Sequence, residues 1–181
     1  MSLQLVLTNG VCNRWTLESF EVSGTYLYSL VKETVFVEPP THFWPQLKGK
    51  SLQLKKALYG MRQAGRFWWV FTSSILTWMC FAAMEVNQSL YLLCSGKAII
   101  AIWVHVDNGV VASNSPEAVA NFKPLLSVEV DIKWHDTISH IVGLECEFGE
   151  GEVTISQKRL TRSILDVYLR PIVKRDLPLA N

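Results

Sequence analysis

The chain has 181 residues, 49% of them hydrophobic and 11% aromatic, with seven Trp and a formal net charge of +1. That length and apolar content suit one domain with a real core and exclude disorder as the general state. The near-zero charge excludes a global electrostatic footprint for nucleic acid, so binding of that kind has to come from local basic patches.

A mean hydropathy of +0.19 predicts poor solubility for the isolated domain. Cys12, Cys80, Cys94 and Cys146 are too widely spaced for zinc ligands or a redox motif and are expected to be buried free thiols. The N-terminus has no basic region ahead of a long apolar stretch, so no secretory signal is expected. An intracellular location follows, cytoplasmic or nuclear, with no targeting signal to choose between them. Residues 67–84 carry no charge and approach the roughly 20 residues of a membrane span. Their Ser and Thr residues, with Arg62 and Arg66 just ahead, fit equally a buried helix of a larger assembly, and membrane association is not expected.

In chain order, residues 17–22 and 34–37 predict short strands on either side of a turn or short helix. Glu38-Pro39-Pro40-Thr41 then forces an extended loop, because proline lacks an N–H and restricts the residue before it. Residues 52–54 can pair as a strand before a basic, glycine-containing turn over 55–65, and residues 63–81 have helical length. Strands are expected over 90–93 and 98–106. The second turns back through Asp107-Asn108-Gly109 into 109–113, since Asn-Gly between apolar runs is a strong hairpin signal and supplies positive φ at the turn. Ser115-Pro116-Glu117 is a helix start, with a capping hydroxyl, proline at the first helical position and an acid in the first turn. That helix runs to about residue 128, weakened or kinked by Pro124. Residues 130–134, 138–148 and 152–155 read as strands, the last two joined by Gly149-Glu150-Gly151, and an amphipathic helix over 156–168 closes the chain. No repeat or flexible linker divides residues 1–181, so a single domain is expected. The order argues an α+β fold with a largely antiparallel sheet and two or three packed helices.

Several of these segments resemble the reverse transcriptase domain of copia-type retrotransposons. The most specific is LKKALYGMRQAGRFWW at 54–69, similar to the family block Leu-Lys-Lys-Ala-Leu-Tyr-Gly-Leu-Lys-Gln-Ala-Pro-Arg-x-Trp. EVNQSLYLL at 85–93, the VHVDN hairpin, IVGLECEF at 141–148 and SQKR at 156–159 follow in family order, and FEVSGTYLYSLVKETVFVEPP at 20–40 resembles the first acidic motif and the segment behind it. The likeness runs from about residue 11 to 177.

The resemblance implies a palm-type polymerase core in which three carboxylates hold two magnesium ions, one activating the primer 3′-hydroxyl and the other holding the triphosphate. Those three positions fall on Glu21, Asp107 and Asn108, so Asp107 alone keeps the family's residue and Glu21 and Asp107 are the metal-ligand candidates. A glutamate is one methylene longer than the family's aspartate, and an amide is a neutral, weak ligand for a hard cation. His105 stands where the family has tyrosine. Tyr26 matches the ring that blocks a nucleotide 2′-hydroxyl, and Gln63 matches the residue touching nucleotide and template, while Gly65 replaces a proline. Lys55, Lys56, Arg62 and Arg66, interleaved with Tyr59, suit a groove that tracks a nucleic-acid backbone. Lys158, Arg159 and Arg162 lie at a spacing that puts at least two on one helical face, consistent with a contact to the template-primer backbone.

The implied partners are an RNA or DNA template-primer, a deoxynucleoside triphosphate and other segments of a retrotransposon polyprotein. The chain reads as a palm with part of the fingers, the fingers being incomplete, and without RNase H or integrase domains. Three readings follow: a degenerate fragment that has lost polymerase activity, an active RNA-directed DNA polymerase using two-metal nucleotidyl transfer, and a noncatalytic nucleic-acid-binding module.

Overall fold

A computed structural model describes residues 2–168 except 41 and 43. Its elements are α1 (Ser2–Cys12), β1 (Thr16–Val22), β2 (Phe36–Val37), β3 (Leu52–Gln53), α2 (Ala64–Trp78), β4 (Ala82–Ala83), β5 (Leu90–Ser95), β6 (Ala98–His105), β7 (Asn108–Ser113), α3 (Pro116–Glu129), β8 (Ile132–His135), β9 (His140–Ile141), β10 (Leu144–Gly149), β11 (Glu152–Ser156) and α4 (Lys158–Tyr168). A 3₁₀ turn at Thr25–Tyr28 follows β1.

The central sheet has six strands in the order β4-β5-β6-β7-β1-β8, every neighbouring pair antiparallel. The expected α+β fold with a largely antiparallel sheet is the one observed. Most of β6 and β7 is buried, and the apolar runs there are nearly continuous because both faces of the sheet are covered. On one face α2 and α3 pack Trp68, Ile75, Leu76, Phe122 and Leu126 against Phe20, Val22, Ile100, Ile102 and Val111. On the other, α1 brings Leu3, Val6 and Leu7, and the β9–β11 sheet brings Ile141 and Cys146, against Ala101, Trp103, Val110 and Ala112. β2 and β3 form a separate two-stranded ribbon.

The predicted cap of α3 is present: the Ser115 hydroxyl accepts a hydrogen bond from the Ala118 N–H, and Pro116 follows it. Pro124 lies inside α3, which continues past it to Glu129. Along α2, Ala64, Trp68 and Ile75 share one buried side, whereas Val70 and Trp78 are exposed. No helix of the described residues is long and apolar enough to cross a membrane.

Four local expectations are corrected. The expected two or three helices are four among the described residues, the addition being α1, which carries no strong helix signal in the sequence and is stabilised by burial against the sheet. The strand expected over 138–148 is broken into β9 and β10, because Val142 and Gly143 both adopt positive φ and reverse the chain. Cys12, Cys80 and Cys94 are exposed, leaving Cys146 as the buried thiol. The β6–β7 turn is centred on Val106 and Asp107 instead of Asp107-Asn108-Gly109, since His105 pairs with Asn108 and Val104 with Gly109.

Candidate functional site

That register decides what Gly109 is for. Its φ is not positive, so it supplies no turn conformation. It faces the ring of Phe20, its partner on β1, so closely that a Cβ would lie 2.1 Å from Phe20 Cζ. The turn conformation falls instead on Val106, at φ 54°, where a β-branched residue is strained and persists only if its surroundings hold it. The hold comes from α2: the Trp68 indole N–H donates to the Val106 carbonyl at 2.7 Å. On the other side, the Val22 N–H at the end of β1 donates to the Asp107 carbonyl at 2.7 Å.

These bonds bring the three predicted acid-site positions together. Glu21 is the cross-strand partner of Asn108, and Asp107 precedes it in the turn. Directly opposed residues of an antiparallel pair project from one face, so the register places His105, Asn108, Glu21 and Lys133 in one row across β6, β7, β1 and β8. The preceding row on that face, Trp103, Val110, Ser19 and His135, is largely buried, and the His105 ring stacks on Trp103 with centroids 5.6 Å apart. The site is therefore the polar margin of the sheet, beginning where the covering layer ends. Lys133 was missed in the sequence, for its position beside Glu21 depends on a strand pairing between segments far apart in the chain.

The donor set does not fit two magnesium ions. The Asn108 amide nitrogen donates to Asp107 Oδ1 at 2.8 Å; a carboxylate oxygen only accepts, so the amide presents its positive edge to the one carboxylate the family shares. A cation there needs lone pairs from both residues. Lys133 stands opposite Glu21 in the strand register, so the row also carries a basic residue. Among the described residues, no group of three or more His, Cys, Asp or Glu side chains could hold a metal ion.

Of the remaining candidates, Tyr26 borders a cavity beside the hairpin. Tyr26, Gly65, Trp68, Trp69, Tyr91, His105 and Val106 line one cavity of about 200 Å³, so the first acidic motif, the 54–69 block and the hairpin meet there. Tyr26 also packs on Tyr59, ring centroids 4.6 Å apart. Gln63, at the start of α2, donates from Nε2 to Glu33 Oε2 at 2.8 Å. Lys55 donates to Gln53 Oε1, Lys56 and Arg62 are exposed, and the Arg66 guanidinium lies 4.2 Å from the Trp69 ring centroid. Burial raises the Tyr91 pKa, with the Ser73 hydrogen bond only partly offsetting it, so this hydroxyl stays protonated at neutral pH. Burial also pushes the Cys146 thiol up. Lys158, Arg159 and Arg162 are exposed on α4. Lys158 pairs with Glu147 at 3.5 Å, and the Arg159 N–H donates to Glu145 Oε1, so these contacts run to β10 and not to the hairpin.

The Trp68 contact carries a test. Trp68→Phe keeps a ring in the core and deletes the indole donor to the Val106 carbonyl at a strained turn. A loss of about 1–3 kcal/mol is expected in urea unfolding, with faster amide exchange confined to the hairpin. Unchanged exchange at Val106 to Asn108 would show that the indole does not hold the turn.

The family model described as reverse transcriptase (RNA-dependent DNA polymerase) matches residues 1–170, a match that takes in α1 as well as the motifs from residue 11 onward. The chain is similar to the retrovirus-related Pol polyproteins from transposons RE1 and RE2 of Arabidopsis thaliana, 28% identical over 93% of this chain and 26% over 91%, covering 11% of each relative. It is also similar to the transposon Ty1-BR Gag-Pol polyprotein of Saccharomyces cerevisiae, 27% identical over 83% of this chain and 9% of the relative. The chain thus spans about a tenth of the length of these curated relatives, and no solved structure matches it. With the antiparallel sheet, the hairpin and the 54–69 block in place around one site, the chain belongs to the reverse transcriptase family of Ty1/copia-type retrotransposon Pol polyproteins.

Proposed function

We propose that this chain is a palm-type reverse transcriptase unit, with part of the fingers, that retains a template-primer-binding surface and has lost nucleotidyl transfer. The observation that carries the reading is the Asn108 amide donating to Asp107 where two-ion chemistry requires a third anionic ligand. Glu21 adds its own departure: a displacement of about 1 Å at a reacting centre costs on the order of a hundredfold in rate. Tyr26 and Gln63 are assigned to the nucleotide side. Lys55, Lys56, Arg62 and Arg66 form the principal backbone contact, and Lys158, Arg159 and Arg162 a second one. The polyprotein relatives suggest that other segments of such a polyprotein are partners.

Primer extension on an RNA template with magnesium or manganese tests the loss of activity. Incorporation no greater than that of Asp107→Ala is expected; incorporation that disappears in Asp107→Ala would establish the active polymerase instead. Duplex binding tests the retained surface. Replacing Lys55, Lys56 and Arg62 by Ala is expected to weaken template-primer binding and to lower the log–log salt slope by about 2–3, since each phosphate contact contributes about 0.9. A wild-type affinity that does not fall with salt would rule out the nucleic-acid reading altogether.

A further inference from the structure

We propose that the groove between residues 28–32 and α2 is a docking site for an extended acidic peptide segment of a partner protein, which pairs with the backbone edge at Leu30 and sets an apolar side chain against α2. Of the residues that line this groove, only Arg66 is among the backbone contacts assigned above.

The backbone favours a peptide. Leu30 faces Lys56 across an isolated antiparallel bridge. The bonds beside it run from the Val31 N–H to the Lys55 carbonyl at 3.1 Å and from the Ala57 N–H to the Ser29 carbonyl at 2.9 Å. In an antiparallel pair bonded this way, the enclosed residue turns its own N–H and C=O to the opposite edge. Among the described residues, neither group of Leu30 has a hydrogen-bond partner. An edge left open in this manner accepts an added strand.

The side chains favour an apolar residue flanked by acids. The groove holds about 600 Å³, within the roughly 300–1,000 Å³ of concave binding sites. Tyr28 and Phe71 stack beneath it with ring centroids 6.0 Å apart. Leu30 and Val70, 69% and 41% exposed, leave apolar surface there for a partner to cover. Ser29 also borders the groove; it is 2% exposed, and its hydroxyl has no hydrogen-bond partner. A peptide carbonyl or carboxylate entering the groove can complete it, whereas a hydrocarbon leaves it orphaned. Lys32 and Arg66 bring two positive charges to the same walls, and among the described residues neither forms an ion pair. Glu33, next to Lys32 in the chain, is held by Gln63 instead. A phosphodiester backbone would meet the two cations, but it carries no N–H for the Leu30 carbonyl and leaves the apolar side chains wet.

Fluorescence anisotropy of the full chain tests this with three labelled hexapeptide libraries. One alternates aspartate with Leu, Ile, Val or Phe, the second puts lysine for aspartate, and the third repeats the first with every peptide nitrogen methylated. Saturable binding of the acidic library is expected, with a loss of about tenfold or more when lysine replaces aspartate and again when the N–H donors are methylated. Leu30→Pro removes an N–H that binds nothing in the free protein, and Ser29, at φ −86° and ψ 130°, already suits a following proline. That variant should bind the acidic library about threefold to tenfold more weakly. Lys32→Glu should cost about as much through charge reversal, and Ser29→Ala about threefold. Duplex binding should stay within about twofold in Leu30→Pro and Ser29→Ala, because phosphate contacts elsewhere supply it. The methylated library tests the same backbone pairing from the ligand side, whether or not Leu30→Pro folds. No saturable binding of the acidic library, or equal affinity for the acidic and methylated libraries, overturns the proposal. Self-association of the chain that Leu30→Pro abolishes overturns it in favour of a second copy. A duplex that displaces the acidic library and is weakened equally by Leu30→Pro and Lys32→Glu overturns it in favour of nucleic acid.

Discussion

Gly109→Ala is expected to destabilise the fold by about 3 kcal/mol, the upper end of what overpacking a core costs. The added methyl would sit 2.1–2.6 Å from three atoms of the Phe20 ring, and the ring has little room to retreat. Phe20 is 4% exposed and packs on Trp134 with ring centroids 5.1 Å apart. For a domain of this size, that loss lowers Tm by roughly 6–12 °C. A turn-forming role for Gly109 predicts a different order: Asn, which tolerates positive φ, would then be the mildest replacement. The close approach of Phe20 makes Gly109→Asn at least as damaging as Gly109→Ala. Combining Gly109→Ala with Phe20→Leu should cost less than the sum of the two, with a coupling of about 1–2 kcal/mol in a double-mutant cycle. A Gly109→Ala variant within about 0.5 kcal/mol of wild type in urea unfolding, the range of a neutral surface change, would show that β1 and β7 are not in this register.

The same residue shows where sequence reading succeeds and where it stops. The two arms of the hairpin were legible because their apolar runs are long and their interruption is short. The turn was misplaced because Asn-Gly is a local preference, and here it yields to a non-local contact: the need for a residue without a Cβ opposite Phe20. Val106 then accepts the positive φ, and a bond from α2 stabilises it. α1 went unread for a related reason. Its sequence SLQLVLTNGVC contains no charged residue and includes Gly10 in the last turn, so its helix depends on burying Leu3, Val6 and Leu7 against a sheet it precedes in the chain. Glycine at 143 was visible as a strand interruption, yet whether it marks a bulge or a reversal depends on the pairing of β9 with β10.

The site was legible to the same degree. Glu21, Asp107 and Asn108 could be named from motif order, and the fold brings them together. Lys133 and Trp68 could not be assigned their neighbours, because both contacts cross between segments with no local signal for each other. Their inclusion changes the chemistry of the site. One residue sets a lysine opposite Glu21 in the strand register, and the other fixes the backbone from which Asp107 projects.

Restoring one acid therefore has a definite expected result: Asn108→Asp should raise Mn²⁺ affinity about tenfold to a hundredfold over wild type. The substitution removes the amide donor from Asp107 Oδ1 and sets a third carboxylate beside Glu21 and Asp107. An extra charge about 4 Å from a divalent ion is worth about 2 kcal/mol in water-like surroundings, or more where solvent is partly excluded. Without the metal the same change should be unfavourable, since three carboxylates then stand close together, and a loss of about 1 kcal/mol is expected at neutral pH. Electron paramagnetic resonance of free Mn²⁺ reads the affinity, and urea unfolding with and without Mn²⁺ reads the linked stability, which should rise with metal in the variant and barely change in wild type. Wild-type affinity equal to that of Asn108→Asp would mean that the amide does not limit metal binding. Adding Lys133→Ala to the variant separates the two obstacles, because a further gain in affinity then measures what the lysine opposite Glu21 in the strand register withholds from a cation.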